Sequence, residues 1–269
     1  MSIALELSII IVSHNTRADL ERCLASLAES PPAAAHEILV VDNRSTDGSP
    51  EAARRRPAVH VIEAGANRGF AAATNIGIRA SRGAFLLLLN SDTRVPPGAI
   101  DRLIRELAGH PDAAVAGPRL VDDEGRPEIS FGPMMSPLNE FRQKRLFRRY
   151  ERRDPSACRR VEALTRHEQS PDWVSGACLL VARADAEAVG LLDERFFLYT
   201  EDVDFCASIR ARGRRILYTP AAEVVHLRGR SAATAPEATN EAYRRSHLAF
   251  YEKHHPWLAP LLRVYLALK

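Results

Sequence analysis

Carboxylate, amide and imidazole side chains stand in this chain at points where apolar runs end, and these are the groups that phosphate and nucleotide chemistry uses. Phe85 to Leu89 is unbroken apolar sequence that stops at Asn90, Ser91 and Asp92, which puts Asp92 at the end of a rigid strand. Glu37 to Val41 stops at Asp42, where a carboxylate can accept the imide N–H of a uracil or thymine ring. Leu7 to Val12 stops at Ser13, His14 and Asn15, which face the same crevice. Val59 to Glu63 leads to Asn67, Arg68 and Gly69, where glycine admits close backbone approach and arginine offers a donor fork for phosphate. Each cluster alone also fits ordinary turn chemistry. Four of them at successive strand ends point to one ligand.

A second set lies late in the chain. Thr200-Glu201-Asp202-Val203-Asp204 follows Phe196 to Tyr199 and opens a helix whose apolar face holds Val203, Cys206 and Ile209. A helix N-terminus favours ionised carboxylates, and an ionised, positioned carboxylate is what a general base requires. Acidic residues are also common in the first turn of any helix. His226 ends the strand Glu223 to Val225, and Arg228 and Arg230 beyond it are placed to neutralise a diphosphate or to be solvated.

The elements that must carry these groups alternate strictly. Unbroken apolar runs suit strands buried on both faces, and Leu20, Leu24 and Leu27 recur at helical spacing before Pro31-Pro32. The expected fold is α/β, a Rossmann-like, mostly parallel sheet with helices on both faces and ligands at the carboxyl ends of the strands. Neither GxGxxG nor GxxxxGK[ST] occurs, so dinucleotide cofactors and P-loop chemistry lose support. Trp173 to Val181 reads as one strand with Ser175-Gly176-Ala177 midway.

With 269 residues, 46% hydrophobic content and mean hydropathy −0.21, the chain can bury a full α/β core. A formal charge of only +3 gives no argument for a nucleic-acid partner. Cys23, Cys158, Cys178 and Cys206 show no metal spacing and read as reduced thiols of a cytoplasmic protein. The N-terminus lacks the pattern of a signal peptide, and no apolar stretch is long enough to span a bilayer.

The segments IVSHNTRADLERCLASL, EILVVDNRSTDGS, ANRGFAAATNIGI, LLLLNSDT, WVSGACLLVAR and FFLYTEDVDFCASIRARGRRILYTPAAEVVHLRGRS resemble the inverting family 2 glycosyltransferases, in particular their bacterial rhamnosyltransferase-like branch. The resemblance runs in order over roughly residues 7 to 250 and implies a single glycosyltransferase A (GT-A) domain. Within it residues 1–118 would be the nucleotide-binding half, 119–170 a variable basic insertion, 171–238 the acceptor half and 239–269 a helical tail. It further implies a dTDP- or UDP-sugar donor, Mg2+ or Mn2+, and a glycan or lipid-linked glycan acceptor of the cell envelope or an exopolysaccharide. Asp202 maps to the family's base and Glu201 to its acidic partner. Asp92 maps to the metal position, with His226 as second choice, and Asn90-Ser91-Asp92 leaves one carboxylate where the wider superfamily has Asp-x-Asp. Asn75, Asn90, Ser91 and Gly176 fall in motifs that surround the donor.

Two other classes fit less well. A sugar nucleotidyltransferase should show a glycine-rich basic loop near Val12 to Arg17, and a non-catalytic binding protein has no use for the Glu201-Asp202 pair. Arg142 to Arg166 is strongly basic with Phe147 and Tyr150 interleaved, and Trp257 to Leu268 is apolar but short. Each reads either as a membrane-surface contact or as an ordinary docked or solvated helix. The expected location is therefore cytoplasmic, free or peripheral on the inner face of the plasma membrane.

Overall fold

A computed structural model describes residues 5–227 and 236–267. Chain order is β1 (Leu7–Ser13), α1 (Arg17–Glu29), β2 (His36–Asp42), α2 (Ser49–Arg54), β3 (Val59–Glu63), α3 (Phe70–Ala80), β4 (Phe85–Asn90), β5 (Thr93–Arg94), α4 (Ala99–Gly109) and β6 (Ala113–Val121). It continues through β7 (Phe131–Gly132), α5 (Pro137–Glu151), α6 (Pro155–Thr165), β8 (Trp173–Val174), β9 (Cys178–Ala182), α7 (Arg183–Ala188), α8 (Glu201–Ala211), β10 (Arg215–His226), α9 (Pro236–His254) and α10 (Ala259–Ala267).

Eight strands form one sheet in the order β3-β2-β1-β4-β9-β6-β10-β5, and β7 pairs with β8 separately. The left side is parallel throughout, whereas β9 runs antiparallel to both β4 and β6. The apolar runs are explained by two cores on opposite faces. Ile9, Ile11, Leu87 and Leu89 join Leu20, Leu24 and Leu103 in one. Ile10, Leu86 and Leu88 join Ile78, Phe205 and Ile209 in the other. Because successive strand residues point to opposite faces, a strand covered on both sides must be apolar at every position.

The expectation of a single strand from Trp173 to Val181 is corrected. Trp173 and Val174 belong to the small sheet, and the chain crosses to β9 through Ser175-Gly176-Ala177. Ser175 N–H donates to Ser130 O, continuing the small sheet, and Gly176 N–H donates to Asp202 Oδ2 at 2.8 Å, so neither amide joins the β9 pairing.

The basic stretch forms a helical pair, with Ser136 capping α5 and Asp154 capping α6. No residue of α5 is fully buried. It is anchored by Glu140, whose carboxylate accepts from Tyr251 Oη at 2.7 Å and faces His247 Nε2 at 3.0 Å, both on α9. Asp204 does more than cap a helix: it is buried and holds Lys253 Nζ at 2.9 Å and His254 Nε2 at 2.6 Å, stitching α8 to α9. All four cysteines are free. Among the described residues no helix is long and apolar enough to cross a membrane.

Candidate active site

Past the carboxyl ends of β1 and β4 lies a cleft of about 860 Å³. His14, Asn15, Asn67, Asn90 and Asp92 line it together with Gly176, Glu201, Asp202 and His226. Residues scattered over more than 200 positions of sequence thus face one space because parallel strands deliver their polar ends to the same sheet edge.

The loops after β1, β2 and β3 are locked by amides. Asn67 Nδ2 donates to His14 Nε2 at 3.3 Å, and His14 Nδ1 in turn faces Asn43 O at 2.9 Å. Asn43 Nδ2 donates to Asn67 Oδ1 at 2.9 Å while its Oδ1 accepts from Arg68 N at 2.8 Å. Asn15, at a left-handed φ of 53°, accepts from Thr46 N at 2.8 Å. Asp42 lies behind this network, buried; its Oδ2 accepts from Ser45 N at 3.0 Å, whereas its Oδ1 is buried without a partner. A buried acceptor with no donor is costly, and a ligand N–H would relieve it. Ser13 is also beneath the cleft wall, its hydroxyl shared with Thr16 at 3.0 Å, and Thr16 reaches Ser91 Oγ at 2.9 Å.

Four expected donor contacts lie outside the cleft lining: Ser13 and Asp42, just described, and Asn75 and Arg68. Asn75 does not reach the cleft: it is buried in α3, its Nδ2 donating to Leu192 O at 2.8 Å and its Oδ1 accepting from Leu192 N at 3.1 Å. Full satisfaction by one loop marks it as a structural pin. Arg68 is outside the cleft lining as well, because its Nε is taken by Ala64 O at 3.0 Å and its charge lies near Glu194.

Gly69 lines the cleft and has a second use in the fold. It adopts φ 83° and ψ 170°, a conformation essentially reserved for glycine. A Cβ there would meet Phe197 Cα at 2.8 Å and collide with Phe197 O, which already accepts Phe70 N–H at 2.7 Å. The loop after β3 is therefore clamped to the loop before α8. Gly69→Ala is expected to destabilise the fold by about 3 kcal/mol. Urea unfolding checks this, and a loss under about 0.5 kcal/mol would mean the clamp is slack.

At the sheet's other wall, Asp92 is buried, with Oδ1 3.4 Å from His226 Nε2. His226 Nδ1 is 2.9 Å from Glu128 Oε2. Burial lowers the pKa of this imidazole and the two carboxylates outweigh it, raising it to about 9, so a cation taken by Nε2 would displace a proton. The donor set fits a hard divalent cation. Asp92 offers an oxygen, and with its other nitrogen on Glu128 the histidine can turn Nε2 to the ion in the pattern of a carboxylate-oriented ligand.

Across the cleft Asp202 accepts from Gly176 N–H and, through Oδ1, from Val203 N–H at 2.8 Å. Tyr199 and Thr200 just before it both hold left-handed φ, 66° and 65°. Two consecutive non-glycine residues in that region aim the acidic pair into the cleft at a local energetic cost. The helix terminus favours ionised carboxylates here, as expected, but burial opposes it at both. Burial pushes the pKa of Glu201 well above the carboxylate range, the neighbouring Asp202 charge adds to this, and its Oε2 has no partner. Asp202 is also raised by burial, against the pull of its amide donors.

Glu128 and Asn43 escaped the sequence reading. Glu128 sits in a loop after β6 with no periodic signal, and Asn43 is adjacent to the more conspicuous Asp42. Phe147 and Glu151 of α5 and Ala242 of α9 also line the cleft, which ties insertion and tail to the site. Arg228 and Arg230 lie outside the described residues.

The family model for glycosyl transferase family 2 matches residues 8–164. An N-acetylglucosaminyl-diphospho-decaprenol L-rhamnosyltransferase of Mycobacterium tuberculosis is 33% identical over 98% of this chain and 91% of its own length. A mannosyltransferase of Pyrobaculum calidifontis, solved with GDP-Man and Mn2+, superposes with a TM-score of 0.65 at 20% identity, covering 96% of this chain and 68% of that one. GalNAc-T7, solved with UDP, GalNAc and Mn2+, gives 0.62 at 18% identity over 82% and 44% of the two chains. The architecture is accordingly the GT-A fold.

Proposed function

This chain belongs to glycosyl transferase family 2 and is a glycosyltransferase, and on that premise we propose that it transfers rhamnose from dTDP-rhamnose to a hydroxyl of a lipid-linked cell-envelope glycan. The sugar and the lipid-linked acceptor are supported by the name of its mycobacterial relative. Membership sets aside a nucleotidyltransferase and a non-catalytic binding protein. The observation that supports the mechanism is that Asp92, beside His226, and Asp202 line a single cleft.

Asp202 takes the proton of the acceptor hydroxyl as that oxygen forms its bond to the anomeric carbon. The bond from that carbon to the diphosphate oxygen breaks on the opposite face, its electron pair leaves with the diphosphate, and configuration inverts. Asp42 Oδ1, unpartnered behind the loops after β1 and β2, would receive the imide N–H of the base once those loops part, an interaction that thymine and uracil share. Asp92 and His226 would hold Mg2+ or Mn2+, which when bound neutralises charge on the departing diphosphate. Glu201, whose ionisation burial and the neighbouring Asp202 both disfavour, packs the loop beside Asp202.

Calorimetric titration of dTDP, UDP and GDP, each with Mn2+ and with chelator, tests the reading. dTDP or UDP should bind in a metal-dependent way and GDP at least about tenfold more weakly, since guanine offers Asp42 a different edge. If no pyrimidine diphosphate binds under either condition, the site assignment fails.

A further inference from the structure

Among the described residues, every large apolar side chain that is more than half exposed belongs to two neighbouring elements. Leu138 (56%) and Phe141 (65%) are on α5; Trp257 (73%), Leu261 (69%), Val264 (61%) and Tyr265 (52%) precede or lie on α10. Leu261, Val264 and Tyr265 are spaced i, i+3, i+4, one stripe of α10, with Trp257 exposed in the turn before it, while Leu258, Ala259 and Leu262 pack on Phe250 and Tyr251. The stripe is thus left outside after the helix has docked.

The outer face of α5 continues the pattern in charge. Leu138, Phe141, Arg142, Arg145, Arg148 and Arg152 fall within about a third of its circumference at 100° per residue. Among the described residues no carboxylate pairs with Arg142, Arg145, Arg148 or Arg152, while Lys144 and Arg149 on the flank are used by Glu140 and Asp154. The two helices are adjacent: His255, just before α10, reaches Met135 O at 2.9 Å, and Tyr265 lies within electrostatic range of Lys144.

We propose that the outward faces of α5 and α10 form a docking surface for an anionic phospholipid bilayer. Exposed tryptophan and leucine beside unpaired arginines suit the boundary between acyl chains and negatively charged headgroups. A second copy of this face would set arginine against arginine, so the charge pattern disfavours self-association. The surface rests on these residues alone, and on the lipid-linked acceptor only for its use: α5 lines the catalytic cleft through Phe147 and Glu151, so docking brings the rim of the cleft to the membrane.

Flotation of the full-length protein with vesicles of phosphatidylcholine, with or without a third of phosphatidylglycerol, tests it. Partitioning onto the anionic vesicles should be at least about tenfold stronger and should fall with salt. Trp257→Glu with Leu261→Glu, and separately Arg145→Glu with Arg148→Glu, should each lower it about tenfold with Tm and nucleotide binding unchanged. Equal binding to both vesicle types, binding that neither double variant weakens, or a wild-type dimer that the variants dissociate would overturn the proposal. Vesicle binding is read without any acceptor, so an error in the acceptor assignment leaves the result intact.

Discussion

Asp202→Asn is expected to lower kcat by about 10³-fold while dTDP or UDP binds as in the wild type, because the substitution removes the proton acceptor and leaves the nucleotide subsite alone. The wild-type profile carries the same information. Burial raises the pKa of Asp202, so kcat should climb with pH along a limb centred above the ordinary carboxylate value of about 4 and flatten once the carboxylate is ionised. The asparagine variant should lack that limb. Its amide also meets two backbone donors, Gly176 N–H and Val203 N–H, that now find one acceptor between them. A stability loss of about 1–3 kcal/mol accompanies the change, so kcat must be read well below the variant's Tm. A folded Asp202→Asn protein with a tenth or more of wild-type kcat would remove Asp202 as the base.

Asp92→Ala should weaken metal-dependent binding of the nucleoside diphosphate by about 100-fold or more and leave binding in chelator unchanged. It deletes the one carboxylate at the end of β4 that faces the cleft beside His226 Nε2. Glu128→Gln is the graded companion. It preserves shape but weakens the hold on His226 Nδ1, and it should cost about 10- to 100-fold in Mn2+ affinity. Manganese titrations at fixed nucleotide measure both. If Asp92→Ala shifts the curves with Mn2+ and with chelator by the same factor, Asp92 contributes to nucleotide binding without holding a cation.

What was legible in the sequence, and what was not, divides by the range of the interactions involved. Ile9, Ile10 and Ile11, or Leu86 to Leu89, announce a doubly covered strand because burial on both faces is a local demand on each residue type. The polar residues ending those strands are legible for the same reason, since the run must stop where the sheet does. Glu128 is silent because its meaning depends on β10 ending beside it, 98 residues later. Asn75 misleads in the other direction: it lies in a motif near the cleft, yet its amide is consumed by Leu192. Trp173 to Val181 looked like one strand because composition is blind to Asp202 taking Gly176 N–H. Glu201 looked ionised because a helix terminus is visible in sequence and the depth of its burial is not.

The antiparallel strand β9 has a consequence for biosynthesis. Its register binds Leu86 to Val181 and Val115 to the same residue, so among the described strands it is the one that lies between β4 and β6 in the sheet. A ribosome must therefore deliver some 180 residues before the halves can be joined, and until then Phe85 to Leu89 forms an open apolar edge. A fragment ending at residue 164, where the family model stops, would keep that edge permanently and invite aggregation.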